Sequence, residues 1–183
     1  MTSMFRTTGR LRMGYDPDQV DEFFTHARRV YEGEVSESID GRNVRRVAFD
    51  LVHHGYEPTA VDAALDRLEQ AFVARERTAF VSTHGQQAWL EHLAERARTL
   101  YGRLARPDGE RFAPAERRTQ GYDPDEVDDV CGRLIDYFDH GHALSSAELR
   151  QVTFSRRKGR DGYAEGPVDA FLERAVEVLL GVE

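Results

Sequence analysis

One local cluster of the chain carries the side chains that bind metal ions: Asp136, Asp139, His140 and His142. Carboxylates and imidazoles are zinc ligands, and zinc in such a site activates a bound water molecule for hydrolysis. The two aspartates share one helical face, and the histidines lie in or near the loop that follows. Because the spacing matches no known zinc site, a helix C-terminus with favourably placed histidines is the preferred interpretation. We predict no metal site, and a metal-dependent enzyme is the most distant alternative.

Other residues with catalytic potential are few. Cys131 is the single cysteine, so an intrachain disulfide and a thiolate zinc site are both excluded. It occupies a helix position that other parts of the chain fill with Phe or Leu, which indicates packing and not a nucleophile. The chain has no glycine-rich phosphate loop, no His-Glu-x-x-His and no Gly-x-Ser-x-Gly. We predict no catalytic residue, no cofactor and no enzymatic activity.

The composition is that of a soluble globular protein: 40% of the 183 residues are hydrophobic and 32% are charged. A formal net charge of −8 argues against nucleic-acid binding, because phosphate contacts require a positive field. No apolar run reaches the length of a signal peptide or a membrane span. The expected location is therefore the cytoplasm.

One motif occurs four times: Gly-Tyr, four residues, Val-Asp, and then an amphipathic run. Successive copies are 41, 66 and 41 residues apart, so they form two pairs. The four copies are Gly14, Tyr15, Val20 and Asp21; Gly55, Tyr56, Val61 and Asp62; Gly121, Tyr122, Val127 and Asp128; and Gly162, Tyr163, Val168 and Asp169.

The first copy has the residues of a helix start. Gly14 predicts a left-handed turn, Asp16 an N-cap, and Pro17 the first helical position. Gln19 lies where its side chain can complete a capping box with Asp16. The motif is therefore interpreted as a device that bends the chain and begins a helix.

A hydrophobic staple is the predicted role of the tyrosine and valine, because Tyr15 precedes the cap and Val20 is the fourth helical residue. In the fourth copy Ala164 stands at the cap position. We expect that helix start to be the least regular of the four.

The repeated aspartate has two interpretations. It lies in the second helical turn, past the usual capping positions, yet it is Asp in every copy. The first interpretation is a carboxylate near the positive end of the helix, bonded also to the incoming loop. The second is a ligand for an arginine in the neighbouring repeat or in a partner chain.

The remaining segments predict the helices that connect the motifs. Asp40 and Ser145 are good N-caps for short helices ahead of the second and fourth copies. Apolar periodicity predicts a helix over 86–105, separated by Gly85 from a long helix of the second copy. The fold class is all-α: two tandem helical units of two turn-plus-helix repeats each, joined by a connecting helix. Their predicted bounds are 1–80, 81–108 and 109–183.

With these residues laid out, the motif resembles that of the DivIVA-domain family of bacterial cell-division and polar-growth scaffolds. That motif consists of a capped helix, a Phe, a loop, Gly-Tyr-Asp-x-x-x-Val-Asp and the start of a helix. The phenylalanines that match are Phe5, Phe49, Phe112 and Phe154. The match covers less than half of the chain. It implies a non-catalytic scaffold with protein partners and self-association, located in the cytoplasm at the septum or pole.

Two features depart from the family pattern. The long coiled coil that follows the motif in founding members is absent. Those members also carry an aromatic and a basic residue just before the Gly-Tyr, at a loop tip that inserts into membrane. Here those positions are Arg12-Met13, His53-His54, Thr119-Gln120 and Arg160-Asp161.

One basic cluster precedes the fourth copy and has two interpretations, an anionic lipid or partner contact and a solvated loop. Its members are Arg156, Arg157, Lys158 and Arg160. The alternative to a membrane-associated scaffold is a soluble helical adaptor that uses the motif only for folding. Membrane binding separates the two.

Overall fold

The computed structural model describes residues 3–9 and 12–183. It is mostly helical, at 62%, with small antiparallel strand pairs. The chain divides into two compact units, Met1–Ser82 and Thr83–Glu183. No helix among the described residues combines the length and the apolar character that crossing a membrane requires.

The first unit is built from two strands and three helices. In chain order they are β1 (Met13–Tyr15), α1 (Pro17–Glu32), α2 (Gly41–Arg46), β2 (Leu51–His53) and α3 (Pro58–His84), whose last two residues pass into the second unit. The strands form an antiparallel pair in which Met13 lies opposite His53 and Tyr15 opposite Leu51.

Helix α1 begins as the sequence predicts. Asp16 accepts hydrogen bonds from the Asp18 and Gln19 amides, and Pro17 is the first helical residue. The predicted capping box of Gln19 is wrong, because both ends of its side-chain amide bond to Asp50, at 2.8 and 2.9 Å. The side chain therefore joins the start of α1 to the residue before β2.

The core of the first unit has two clusters of buried side chains. The first contains Ala27, Val30, Val44 and Phe72, and joins α1, α2 and α3. The second contains Val20, Tyr56 and Val61, with Phe5, Tyr15, Phe24, Phe49 and Leu65 packed against it. The predicted staple residues Tyr15 and Val20 thus belong to one cluster, to which both motifs contribute.

The second unit contains four helices, one 3-10 helix and two strands. They are α4 (Gln86–Leu104), β3 (Gln120–Tyr122), α5 (Pro124–His140), α6 (Ser146–Arg150), β4 (Arg156–Lys158), the 3-10 helix Gly159–Asp161 and α7 (Glu165–Val182). β3 pairs with β4 in antiparallel register, with Gln120 opposite Lys158 and Tyr122 opposite Arg156.

Helix α4, which the sequence sets apart as a connecting segment, packs on α7 inside the second unit. The indole N–H of Trp89 donates to the Gly181 carbonyl at 3.0 Å. Gly181 has no side chain where a Cβ would meet the Leu93 methyl groups. The apolar face of α4 is therefore part of this core, with Trp89 1% exposed.

The short lead-in helices have the predicted caps. Asp40 forms a capping box with Asn43 at α2, and Ser145 forms one with Glu148 at α6. The fourth motif helix, α7, has no side-chain cap at Ala164, as expected from the residue type. At this helix start the Ala164 amide donates to the Ala113 carbonyl at 2.9 Å, and Glu165 pairs with Arg156 at 3.2 Å.

The Gly-Tyr segments differ from the predicted turns in backbone form. Gly14-Tyr15 and Gly121-Tyr122 lie in β1 and β3, and Tyr56 and Tyr163 form isolated bridges outside the strands, so the mostly helical chain also contains small antiparallel strand pairs. A left-handed turn at Gly14 is wrong, because Gly14 lies in β1 and is not among the residues with positive φ. In the described residues, positive φ occurs instead at glycines such as Gly33 and Gly141, which end α1 and α5. The motif glycines are required for a different reason, described next.

Candidate functional site

The two Gly-Tyr segments of the first unit cross each other at close range. The Tyr15 amide donates to the Tyr56 carbonyl at 3.0 Å, and the Tyr56 amide donates to the Tyr15 carbonyl at 2.7 Å. A Cβ on Gly14 would lie 2.7 Å from the carbonyl carbon and oxygen of Gly55. That is closer than van der Waals contact permits, so glycine is the residue that allows the backbones to meet.

Each tyrosine of this crossing reaches the aspartate of the opposite motif. The Tyr56 hydroxyl donates to Asp21 Oδ2 at 3.1 Å. Tyr15 bonds to Asp62, and burial together with that carboxylate raises the pKa of Tyr15. Burial also raises the pKa of Asp62, although the Tyr15 hydrogen bond acts in the opposite direction. The exchange is reciprocal, so neither motif is complete without the other.

The second unit repeats the exchange. The Tyr163 hydroxyl donates to Asp128 Oδ2 at 3.0 Å, and Tyr122 bonds to Asp169. Burial and the hydrogen bond to Asp128 raise the pKa of Tyr163 to about 12. All four motif aspartates thus accept from a tyrosine of the paired motif.

The partner that all four repeated aspartates share therefore differs from both predicted partners. At Asp21 the hydrogen-bond donor is a tyrosine of the paired motif, which neither interpretation names. Asp128, in contrast, also accepts from the Gly109 amide of its incoming loop and lies 3.1 Å from Arg111. The tyrosine comes from 35 positions away in the chain for Asp21 and for Asp128. Local sequence patterns do not indicate so distant a contact.

The motif phenylalanines follow the same crossed pattern. Phe5 packs on Tyr56 with 5.4 Å between ring centroids, and Phe49 packs on Tyr15 at 5.5 Å. In the second unit, Phe112 lies 5.3 Å from Tyr163, and Phe154 lies 5.1 Å from Tyr122. Edge-to-face and tilted pairs at these distances stabilise the crossing beyond simple burial.

One buried arginine, which the sequence did not indicate as functional, joins the exchange in the second unit. Arg111 is 6% exposed, and its Nη1 lies 3.1 Å from Asp128 Oδ1 and 2.6 Å from Asp108. Its amide donates to the Tyr163 hydroxyl at 3.2 Å, and the Gly109 amide donates to Asp128 at 2.6 Å. The only available sequence signal is its position directly before Phe112.

The first unit has Met4 at the corresponding position, directly before Phe5. Its amide donates to the Tyr56 hydroxyl at 3.1 Å, but its side chain is 51% exposed and carries no charge. Among the described residues, Asp21 Oδ1 and Asp128 Oδ1 are both buried without a hydrogen-bond partner, but only Asp128 Oδ1 has a guanidinium group close by, that of Arg111 at 3.1 Å. The two exchanges therefore share a geometry and differ in charge.

The predicted basic cluster lies on β4 and the 3-10 helix that follows, and half of it is neutralised. Arg157 binds Asp123, the N-cap of α5, at 2.6 Å, and Arg156 lies 3.2 Å from Glu165. Lys158 and Arg160 are exposed and have no ion pair with the described residues. Of the four residues in the predicted basic cluster, Lys158 and Arg160 are therefore the two whose charges are not paired with a described carboxylate.

The Asp136–His142 segment ends α5 and forms no metal centre. His142 lies 3.8 Å from Asp136, and Asp139 accepts from the Tyr101 hydroxyl at 3.4 Å. The described residues contain no group of three or more His, Cys, Asp or Glu side chains that could hold a metal ion. Gly141 in the left-handed conformation ends the helix at this point.

Cys131 is fully buried on α5. Burial raises the pKa of its thiol to about 12. A thiol in this state is neutral at physiological pH and has little nucleophilicity. The position is one of core packing, as the residue pattern indicates.

Two surface cavities accompany the motif pairs, and the second of them includes the motif residue Asp128 in its lining. In the first unit, a cavity of about 400 Å³ lies between the end of α1, the 35–39 loop and α3, with Val35, Ile39 and Phe72 in its lining. In the second, a polar cavity of about 480 Å³ contains Arg111 and several aspartates of α5. Neither cavity could be read from the sequence, because each joins segments that are far apart in the chain.

Taken together, the site consists of motif pairs whose side chains complement each other and of a basic surface at Lys158 and Arg160. The described residues show no arrangement of side chains typical of a catalytic site. Comparisons of the chain with protein-family models, with curated proteins and with solved structures find no match.

Proposed function

We propose that this protein is a non-catalytic scaffold or interaction protein that acts in bacterial cell division or polar growth, as the DivIVA-domain proteins do. The observation that supports the proposal is the reciprocal Tyr–Asp exchange, made twice with the same residue types. The tyrosine hydroxyls and aspartate carboxylates of the motif bond to each other, so they are not available to bind a substrate. Such a motif is suited to assembly. Its partners are other proteins, with self-association a further expectation.

The two units are tandem repeat pairs, each made of two turn-plus-helix motifs, and the helix predicted to connect them, α4, belongs to the core of the second unit. Equivalent contacts support this interpretation. Asp16 donates its amide to the Asp50 carbonyl, and Asp123 donates to the Ser155 carbonyl, both at 2.9 Å. Each pair forms within one chain the contact that the family makes by dimerising.

Localisation in dividing bacterial cells tests this function most directly. A fluorescent fusion of the full chain is expected to concentrate at the septum or pole. The fluorescent protein alone, expressed at the same level, is the matched control. A uniform cytoplasmic signal from both would count heavily against a polar or septal scaffold.

A second candidate function is a soluble helical adaptor, in which the motif serves folding only. It is favoured by the loop tips, none of which carries an aromatic residue before its Gly-Tyr. Liposome co-sedimentation distinguishes the two candidates. Protein that pellets with anionic vesicles supports the membrane-associated scaffold, and protein that stays in the supernatant supports the adaptor.

A further inference from the structure

The free positive charge on the crossing of the second unit is concentrated on two turns that touch. The Gly159 amide donates to the Thr119 carbonyl at 2.8 Å, and a Cβ on Gly159 would lie 3.0 Å from the Arg117 carbonyl oxygen. The side chains around this contact, here named the turn cluster, are Arg117, Arg118, Lys158 and Arg160.

The charge of the turn cluster is not neutralised within the part of the chain that the structure describes. All four side chains are exposed, and none has an ion pair or a side-chain hydrogen bond there. The adjacent Arg156 and Arg157, in contrast, are both paired with carboxylates. The exposed carboxylates next in sequence are Glu116 and Asp161, so the two turns keep a net positive charge in a chain of net charge −8.

Folding does not require these cations. In the first unit, His53 opposite Met13 corresponds to Lys158 opposite Gln120, and the shorter segment before Gly55 has no counterpart of Arg160. β1 and β2 nevertheless pair in the same antiparallel manner as β3 and β4. Adjacent like charges repel each other, so the turn cluster lowers stability slightly where it stands. Because the repulsion lowers stability and the cations are not needed for the fold, their presence indicates a role in binding.

We propose that the turn cluster binds a carboxylate-rich segment of a partner protein, an inference that rests on the proposed scaffold function and states the chemistry of its partner. Three of the four cations are arginines, whose guanidinium groups pair with carboxylates in a bidentate manner. A strong positive patch on an acidic protein also directs the approach of an anionic ligand to that patch.

A protein ligand fits this surface better than a membrane does. None of the exposed large apolar side chains in the described residues lies between positions 112 and 165, so the turns have nothing to insert among lipid chains. The net charge of −8 also opposes contact with an anionic lipid surface. Discrete guanidinium groups can instead each pair with one carboxylate.

Fluorescence anisotropy with the full-length protein tests the inference. The probe is a fluorescein-labelled peptide of alternating Glu and Ser, and the comparison peptide has Gln in place of Glu. We expect binding of the Glu peptide only, weakened by salt. The variant R117Q/R118Q/K158Q/R160Q is expected to bind about tenfold more weakly, as four exposed charge pairs permit.

The matched control is R6Q/R12Q/R28Q/R67Q, which removes the same charge from exposed positions of the first unit. It is expected to bind the Glu peptide within about twofold of the unaltered protein. Circular dichroism checks that both variants keep their helix content. Amide NMR shifts caused by the Glu peptide are expected at residues 116–121 and 156–161.

Three results would overturn the inference: equal binding of both peptides, an equal loss in both variants, or NMR shifts confined to other regions. Pelleting with phosphatidylserine vesicles that requires the turn cluster, without peptide binding, would assign the cations to a membrane instead. A uniformly distributed fluorescent fusion combined with cluster-dependent peptide binding would reject the cellular role and leave the binding site in place.

Discussion

The Asp128 carboxylate receives the Tyr163 hydroxyl, the Gly109 amide and the guanidinium of Arg111, which come from different segments of the second unit. Asp21 of the first unit receives the Tyr56 hydroxyl and forms no ion pair with an arginine among residues 3–9 and 12–183. At the scale of single residues, the aspartate at the same motif position therefore has an ion pair with an arginine in the second unit and none described in the first. A buried ion pair is costly to break from one side, since the remaining charge is left without a counter-ion.

Replacement of Asp128 by Asn leaves the buried Arg111 guanidinium with the exposed Asp108 as its remaining counter-ion. We expect Asp128→Asn to lower the free energy of unfolding by about 2 to 3 kcal/mol. Asp21→Asn removes no such pair and is expected to cost about 1 kcal/mol, the value of one hydrogen bond. Urea unfolding followed by circular dichroism measures both, and a larger loss for Asp21→Asn would contradict the assigned role of Arg111.

The tyrosine exchange makes stability depend on alkaline pH. Folding raises the pKa of Tyr163 from the ordinary value of 10.0 to about 12. A group with a raised pKa contributes stability that is fully present below its unfolded pKa and is lost as pH rises through the folded pKa. We therefore expect the free energy of unfolding to fall between about pH 10 and pH 12.

Tyr163→Phe provides the control for this pH dependence. The variant lacks the titrating hydroxyl, so its stability is expected to fall less steeply over the same alkaline range. Urea midpoints measured at a series of pH values give the comparison. Identical slopes for the variant and the unaltered protein would show that Tyr163 does not titrate in this way.

At the scale of the elements, the motif glycines permit two backbones to cross. On Gly121, a Cβ would lie 2.8 Å from the Ala115 Cβ and 2.9 Å from the Tyr163 carbonyl carbon. Backbone atoms cannot move aside as the end of a long side chain can. The sequence correctly marked these glycines as special, but it assigned them to turns because helix starts and turns are what local patterns describe.

Gly121→Ala is expected to disrupt the crossing of the Gly121-Tyr122 segment with Tyr163. The overlap should lower the free energy of unfolding by about 3 kcal/mol, the upper range for overpacking. Gly132→Ala is the matched control, since it lies in α5 with no atom within 4 Å of the added Cβ. It is expected to raise stability by about 0.5 kcal/mol through helix propensity. Thermal unfolding of the two variants gives the result, and equal melting temperatures would contradict it.

At the scale of the whole molecule, the chain consists of two compact units, and each contains one complete motif pair. The cores of the first unit draw on both of its motifs, as the cluster of Val20, Tyr56 and Val61 illustrates. Removing one motif of a pair would leave tyrosine, aspartate and phenylalanine side chains without their partners. The motif pair, and not the single motif, is therefore the expected folding unit.

A fragment of residues 1–82 is accordingly expected to fold as a monomer. It ends at the boundary of the first compact unit, Ser82, which lies two residues before the end of α3 at His84. A fragment of residues 1–38, which keeps one motif, should be unfolded or associate with other copies. Circular dichroism with analytical ultracentrifugation tests both, and a purely dimeric or unfolded 1–82 fragment would refute internal pairing.

Trp89, the single tryptophan, lies in the core of the second unit and reports on that unit. If the units fold separately, Gly14→Ala should shift the unfolding of the first unit while the Trp89 fluorescence transition keeps its midpoint. Far-UV circular dichroism of the same samples should then show two steps. A common shift of both signals would indicate that the units unfold together.

The sequence by itself determined the features that arise from neighbouring residues. These include the four motif copies, the caps at Asp16, Asp40 and Ser145, the break at Gly85 and the helix of Trp89. Each depends on a few adjacent side chains and backbone groups, so the physical cause lies within one or two helical turns. A mostly helical fold was predictable on the same basis.

Only the tertiary structure decided which residues those motifs meet. The exchange of Tyr56 with Asp21, the burial of Arg111 and the contact of Gly159 with Arg117 join segments separated by 17 or more positions. Such contacts depend on the crossing of two backbones, whose register is set by both strands together. A single stretch of sequence contains only half of that information, and for this reason the partner of the repeated aspartate became visible only in the folded unit.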